Sequence, residues 1–257
     1  MRFLRVSRPD GPAYAALHAD GDHAILVEGN PFSEYALTTQ AAPLEALTVL
    51  PPVLPSKILC VGKNYAAHAA EMDGEVPAEP LIFSKPSTSV IGIGEAIQLP
   101  SLSQEVHHEA ELAVVIGRIC KDVPAGQAAD VIMGYTCAND VTARDLQRRD
   151  QQWTRSKGFD TFCPLGPWID TDFDPAAGGD VICRVDGEER QRGSLDDLVF
   201  DVGELVAWCS AFATLLPGDV ILTGTPAGVG PIAAGQTVDV EVEGLGTLRN
   251  PVEDAGP

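Results

Sequence analysis

The stretch Val106-His107-His108-Glu109-Ala110-Glu111-Leu112-Ala113-Val114-Val115-Ile116 decides how the chain is read. A strand sends successive side chains to opposite faces, so Ala110, Leu112, Val114 and Ile116 share one face while Glu109, Glu111, Ala113 and Val115 share the other. The second face turns apolar immediately after the two acids. Two carboxylates about 7 Å apart along the strand therefore enter a partly buried region, where like charges need a cation or a shared proton. A solvated strand end is the plain alternative for an isolated Glu-x-Glu.

Working outward, Lys57–Val61 and Pro80–Phe83 read as buried strands and Gln236–Val242 alternates before a Gly244-Leu245-Gly246 turn. Asp186-Gly187 between two strand-like runs is a hairpin signal. Helical spacing is clearest at Val202, Leu205, Val206, Cys209, Phe212 and Ala213, a stripe ended by Pro217-Gly218. Strands outnumber helices and do not alternate regularly with them, which predicts an α+β, mainly β architecture. Residues 1–51 read as a small N-terminal β domain of short strands, and the Pro51-Pro52-Val53-Leu54-Pro55 cluster leads into a larger domain over 52–257.

The chain has 257 residues, with 17 Lys+Arg against 37 Asp+Glu and a formal net charge of −20. Such a balance cannot supply the basic stripe that neutralises phosphates, which excludes nucleic acid and anionic membrane surfaces as partners. Met1-Arg2-Phe3-Leu4-Arg5 places charge where a signal peptide needs an apolar core, and no run approaches ~20 apolar residues. A soluble, cytoplasmic protein without a targeting segment is expected. The six cysteines form no CxxC pair and read as reduced core residues, without a zinc site.

Further candidates lie elsewhere in the chain. Asp140 ends an apolar strand at a strand-to-helix junction; it can face a cleft, or it or Asn139 can cap the helix. If Asp140 meets Glu109 and Glu111, three hard oxygen ligands favour Mg²⁺ or Mn²⁺ over zinc. His68 and Glu71, at i and i+3 in an Ala-rich helix-prone segment, share a face, and a carboxylate beside an imidazole can fix its tautomer for general-base work. Nothing local distinguishes Lys157 from a surface lysine. The loop Leu222–Pro231 is rich in glycine and can offer N–H groups and hydroxyls to a carboxylate, but it lacks the Lys-Ser/Thr of a P-loop.

Six segments, GKNYAAHAAEM, FSKPS, HHEAELAVVIGR, NDVTARDLQ, KGFDTFCPLGPW and LLPGDVILTGTPAGVGP, together resemble the fumarylacetoacetate hydrolase family over roughly residues 55–251. The resemblance implies a mixed β-sandwich roll of that family's C-terminal type, commonly a homodimer. It implies Glu109, Glu111 and Asp140 as ligands of Mg²⁺ or Mn²⁺, and His68 and Glu71 as a catalytic dyad on a lid helix. Lys157 is implied to reach a metal-bound substrate, Arg144 and Gln147 to line the substrate pocket, and Thr225 to lie in a carboxylate-binding loop. Lid residues such as Asp73-Gly74-Glu75 and the 148–151 region are expected to set specificity.

The resemblance also implies a small-molecule 2-oxo acid substrate. The reaction expected first is cleavage of a C–C bond through a metal-bound enolate, as an acylpyruvate- or fumarylpyruvate-type hydrolase or an oxaloacetate decarboxylase. The alternative is isomerisation of a 5-carboxymethyl-2-hydroxymuconate or 2-hydroxyhepta-2,4-diene-1,7-dioate. A protein that binds metal and dicarboxylate without catalysis is the reading from another class.

Overall fold

Alternation of apolar residues at period two carries most of the chain into strands, which three sheets collect. The computed structural model describes residues 1–72 and 74–256, so Asp73 of the expected lid lies outside the described residues. The largest sheet runs Tyr35–Pro43, His23–Gly29, Ala13–Leu17, Arg2–Val6, Cys163–Asp170, Ile132–Asn139, Ala110–Ile116, Val220–Leu222, Ile58–Gly62, Leu81–Lys85. A five-stranded sheet runs Glu188–Ser194, Asp180–Val185, Thr237–Val242, Gly246–Asp254, Ile97–Leu99. The result is a mainly β, α+β molecule of mixed sheets. The first four strands are an antiparallel meander whose Arg2–Val6 strand pairs with Cys163–Asp170, so the N-terminal residues extend the main sheet.

The Ala110–Ile116 strand sits centrally, between Ile132–Asn139 and Val220–Leu222. Its two faces divide as the period of two requires. Ala110, Leu112, Val114 and Ile116 enter the core shared with Val181, Cys183, Val240, Val242 and Leu248 of the five-stranded sheet. Ala113 and Val115 enter a second core with Ile58, Cys60, Val220 and Leu222. The acids thus stand at the mouth of a strand that is apolar on both sides.

Three local expectations are corrected. The strand is not continuous from Glu109: Val106–His108 and Ala110–Ile116 are separate, because the Glu109 N–H donates to the Asn139 side chain at 2.9 Å and leaves the ladder. Neither Asn139 nor Asp140 caps a helix; the Arg144–Asp150 helix starts from Ala143 without a side-chain cap. The Val202–Phe212 helix, opened by an Asp201–Glu204 capping box, stops well before Pro217. Ala213 is extended there because Leu215 turns aside to pair with Cys120, and Phe212 is left 57% exposed. The Asp186-Gly187 hairpin forms as expected, with Val185 opposite Glu188.

All six cysteines are free thiols, five of them buried. Among the described residues no helix is long and apolar enough to cross a membrane.

Leu112 is fully buried between the sheets whereas Leu102 is 67% exposed. Leu112→Ala should lower unfolding free energy by about 2–5 kcal/mol in urea titrations, and Leu102→Ala by less than about 0.5 kcal/mol.

Candidate active site

Three acids converge because of strand register. Ala110 lies opposite Asn139 and Glu111 opposite Ala138, which sets the start of one strand beside the end of the other and brings Asp140 to both glutamates. The Asp140 N–H donates to the Glu109 carbonyl at 2.8 Å, closing the junction. One carboxylate oxygen from each of Glu109, Glu111 and Asp140 lies within 4.8 Å of the others, and all three residues are buried. Positions about 7 Å apart along a strand bring their carboxylate oxygens closer than that through the reach of their side chains.

Buried like charges demand compensation, and three cations supply it. Lys157 Nζ bridges Glu109 at 2.8 Å and Asp140 at 2.6 Å. Arg144 pairs with Glu109 and donates to Gln147 Oε1 at 2.8 Å. Lys85 Nζ lies 2.7 Å from Asp140 Oδ1 and donates to the carbonyls of Val141, Lys157 and Phe162. Lys85 was not singled out as a site residue from sequence, although a lone charge ending the apolar Leu81-Ile82-Phe83 run was a usable signal.

These partners push the acids apart. Burial raises the Glu109 carboxyl, but Arg144, Lys157 and His68 outweigh it and hold Glu109 well below the usual range. Burial, then the Asp140 and Glu109 charges, push Glu111 well above the usual range. Its one directed partner among the described residues is the Gly224 N–H at 2.6 Å. Burial lowers Lys157, yet the Asp140 and Glu109 carboxylates outweigh it and leave the lysine above its ordinary value. Lys157 is therefore an ammonium group, suited to stabilising negative charge and unsuited to accepting a proton.

The Ala66–Glu71 helix carries the second constellation. His68 is buried, and its Nδ1 faces Glu71 Oε2 at 3.2 Å. Both Glu71 oxygens accept from the Gly228 N–H at 3.1 Å, which ties the helix to the glycine-rich loop. Gly228 has φ +98°, and a Cβ there would stand 2.2 Å from the Arg190 carbonyl, so glycine alone fits. That loop does offer amides to carboxylates, as its composition suggests, but Gly224 and Gly228 give theirs to the protein's own Glu111 and Glu71.

A cavity of about 210 Å³ gathers Glu109, Glu111, Asp140, His68, Lys157, Arg144, Gln147 and Thr225. Glu71 stands behind His68 and does not line it. Arg148 of the expected 148–151 region also lines the cavity, together with Lys63, Phe83, Trp153 and Met72, which were not picked out from sequence. The volume lies below the ~300–1,000 Å³ usual for drug-sized ligands, which suits a small acid.

The acidic triad fits a divalent ion. Glu111 pairs with no cation among the described residues, burial and the neighbouring carboxylates oppose its ionisation, and all three donors are hard oxygens, the set for Mg²⁺ or Mn²⁺.

The family model described as Fumarylacetoacetate (FAA) hydrolase C-terminal matches residues 57–253, and one described as Rv2993c-like, N-terminal, matches residues 1–52. Protein Rv2993c of Mycobacterium tuberculosis is 51% identical over 100% of this chain and 99% of its own length. Oxaloacetate tautomerase FAHD2A, mitochondrial, of Homo sapiens is 46% identical, with 82% of this chain and 71% of that protein covered. The solved structure of 5-carboxymethyl-2-hydroxymuconate delta-isomerase from Mycobacterium smegmatis superimposes with a TM-score of 0.92 at 52% identity, covering 99% of this chain and 100% of that one.

Removing the unbalanced acid separates ion binding from folding. Glu111→Gln keeps an acceptor for the Gly224 N–H while deleting a carboxylate whose ionisation burial opposes. In EDTA this variant should melt no lower than the unsubstituted protein at neutral pH. It should lose the Mg²⁺-dependent rise in melting temperature that ion binding to the native state confers.

Proposed function

The chain belongs to the fumarylacetoacetate hydrolase family, and from that premise we propose that it is a divalent-metal-dependent enzyme that transfers a proton between C3 and the 2-oxygen of a small 2-oxo acid. The substrate class is an oxaloacetate-like dicarboxylate and the reaction its keto–enol interconversion. C–C cleavage, expected first from the sequence, yields to the isomerising alternative. Two relatives at 46% and 52% identity carry the names of a tautomerase and an isomerase, and both names describe relocation of a proton in an enolisable acid.

The observation that carries the reading is the state of His68. Its Nδ1 is engaged by Glu71, so the Nδ1–H tautomer leaves Nε2 as the nitrogen that accepts or returns a proton, and His68 lines the cavity. In the keto-to-enol direction a C3 proton passes to His68, the C–H electron pair becomes the C2–C3 double bond, the carbonyl π pair moves onto the 2-oxygen, and His68 returns the proton to that oxygen. Lys157, kept as an ammonium, favours the charge that develops there. Glu109, Glu111 and Asp140 would hold Mg²⁺ or Mn²⁺, which would supply Lewis acidity toward that charge, an effect of several kcal/mol. Phe83 and Trp153 form an apolar wall that limits water.

Charge balance supports the dicarboxylate. Lys63, Arg144, Arg148 and Lys157 line the cavity with the three acids and Lys85 stands against Asp140, so a divalent ion would leave the site with a positive excess that an anionic dicarboxylate would offset. Assembly as a homodimer belongs to the same proposal and predicts twice the 27.1 kDa chain mass in light scattering.

Turnover is checked by following the ultraviolet absorbance of enol-oxaloacetate alongside pyruvate release. Enol should disappear faster with protein plus Mg²⁺, without matching pyruvate, and EDTA should abolish the effect. His68→Ala should lower kcat by about 10²–10⁴-fold while keeping the Mg²⁺-dependent melting shift. Pyruvate formed as fast as enol is lost would assign C–C cleavage instead. No acceleration at all, with binding intact, would leave a metal- and dicarboxylate-binding protein.

A further inference from the structure

Gln191 lies on the Glu188–Ser194 strand opposite Cys183, outside the acidic cluster, yet it is buried and reaches the cavity wall. Its carboxamide is fully used. Oε1 accepts from the Ala110 N–H at 3.0 Å and from His108 Nδ1 at 2.9 Å; Nε2 donates to the Pro226 carbonyl and to Thr225 Oγ1, both at 2.7 Å.

The two backbone groups settle which way the amide points. An N–H can only donate and a carbonyl can only accept, so Ala110 and Pro226 fix the oxygen and the nitrogen independently of Thr225. Thr225 Oγ1 must then accept, and its own proton is left to donate. Among the described residues that proton has no acceptor, and Thr225, itself 2% exposed, lines the cavity. The neighbouring amides of Gly224 and Gly228 are already spent on Glu111 and Glu71, whereas the hydroxyl proton remains to be donated.

We propose that Gln191 is a positioning residue that sets the Thr225 hydroxyl as a hydrogen-bond donor into the cavity, toward the carboxylate of a bound 2-oxo acid. The proposal rests on the binding half of the function given above and not on the proton transfer.

The test is a double-mutant cycle read by calorimetric titration of oxalate, a planar dicarboxylate, in the presence of Mg²⁺. Gln191→Glu keeps an oxygen for Ala110 and His108 but sets an acceptor against Thr225, so the hydroxyl turns its proton away from the cavity. Gln191→Glu and Thr225→Val should each raise Kd at least tenfold, about 1.4 kcal/mol. The double variant should be no more than about twofold worse than Thr225→Val alone, since both changes remove the same donor. Thr225→Ser should bind as the unsubstituted protein does.

Unchanged Kd in a folded Gln191→Glu, or effects that multiply in the double variant, would overturn the proposal. If Gln191→Glu does not fold, the Thr225 pair decides: undiminished binding by Thr225→Val overturns it, and loss rescued by Thr225→Ser supports it. Failure of the unsubstituted protein to bind oxalate overturns it together with the 2-oxo acid reading. Inactivity on oxaloacetate with an intact oxalate cycle overturns the proton-transfer reading alone.

Discussion

Three carboxylates buried within 4.8 Å of one another impose the central constraint on this molecule. Charges so placed repel through a low dielectric and lose hydration, so the fold must bring cations to them. Lys85 arrives from the end of one strand, Arg144 and Lys157 from two short helices, and each is itself buried. Lys85 also gathers the carbonyls of Val141, Lys157 and Phe162, so one ammonium ties the strand-to-helix junction after Asp140 to the segment that presents Lys157. The balance is uneven, because Lys157 and Arg144 serve Glu109 while Glu111 is left with an amide. That local lack of a cation at Glu111 is what a divalent ion would correct.

The scaffold around the cluster was largely legible in the chain. Period-two alternation in Ala110–Ile116 separates two cores in the folded molecule as it does on paper, and Asp186-Gly187 makes its hairpin. Less legible were events decided by partners distant in sequence. Nothing near Glu109 announces that the Asn139 side chain takes its N–H and breaks the strand. The end of the Val202–Phe212 helix is set by a bridge between Leu215 and Cys120, not by Pro217. Local pattern carries no information about such long-range hydrogen bonds.

The same distinction holds within the site. Glu109, Glu111 and Asp140 could be suspected from strand direction, and His68 with Glu71 from helix spacing, and the folded chain gathers all but Glu71 around one cavity. Lys157 had no local signature and came from family resemblance alone. Gln191 had none either, because its importance lies in a four-way hydrogen-bond arrangement between a hairpin, a strand and a loop. The glycine-rich loop joins these parts, anchoring Glu111 through Gly224, Glu71 through Gly228 and Gln191 through Pro226 and Thr225. Glu111, Glu71 and the Thr225 hydroxyl are therefore registered by a single segment, and the Arg190 carbonyl leaves that segment no room for a side chain at Gly228.

The most direct test of this account is an anomalous difference map from crystals equilibrated with Mn²⁺. The account predicts one strong peak bounded by oxygens of Glu109, Glu111 and Asp140, absent in Glu111→Gln crystals. No peak there, or a peak that persists when Glu111 is replaced, would contradict it.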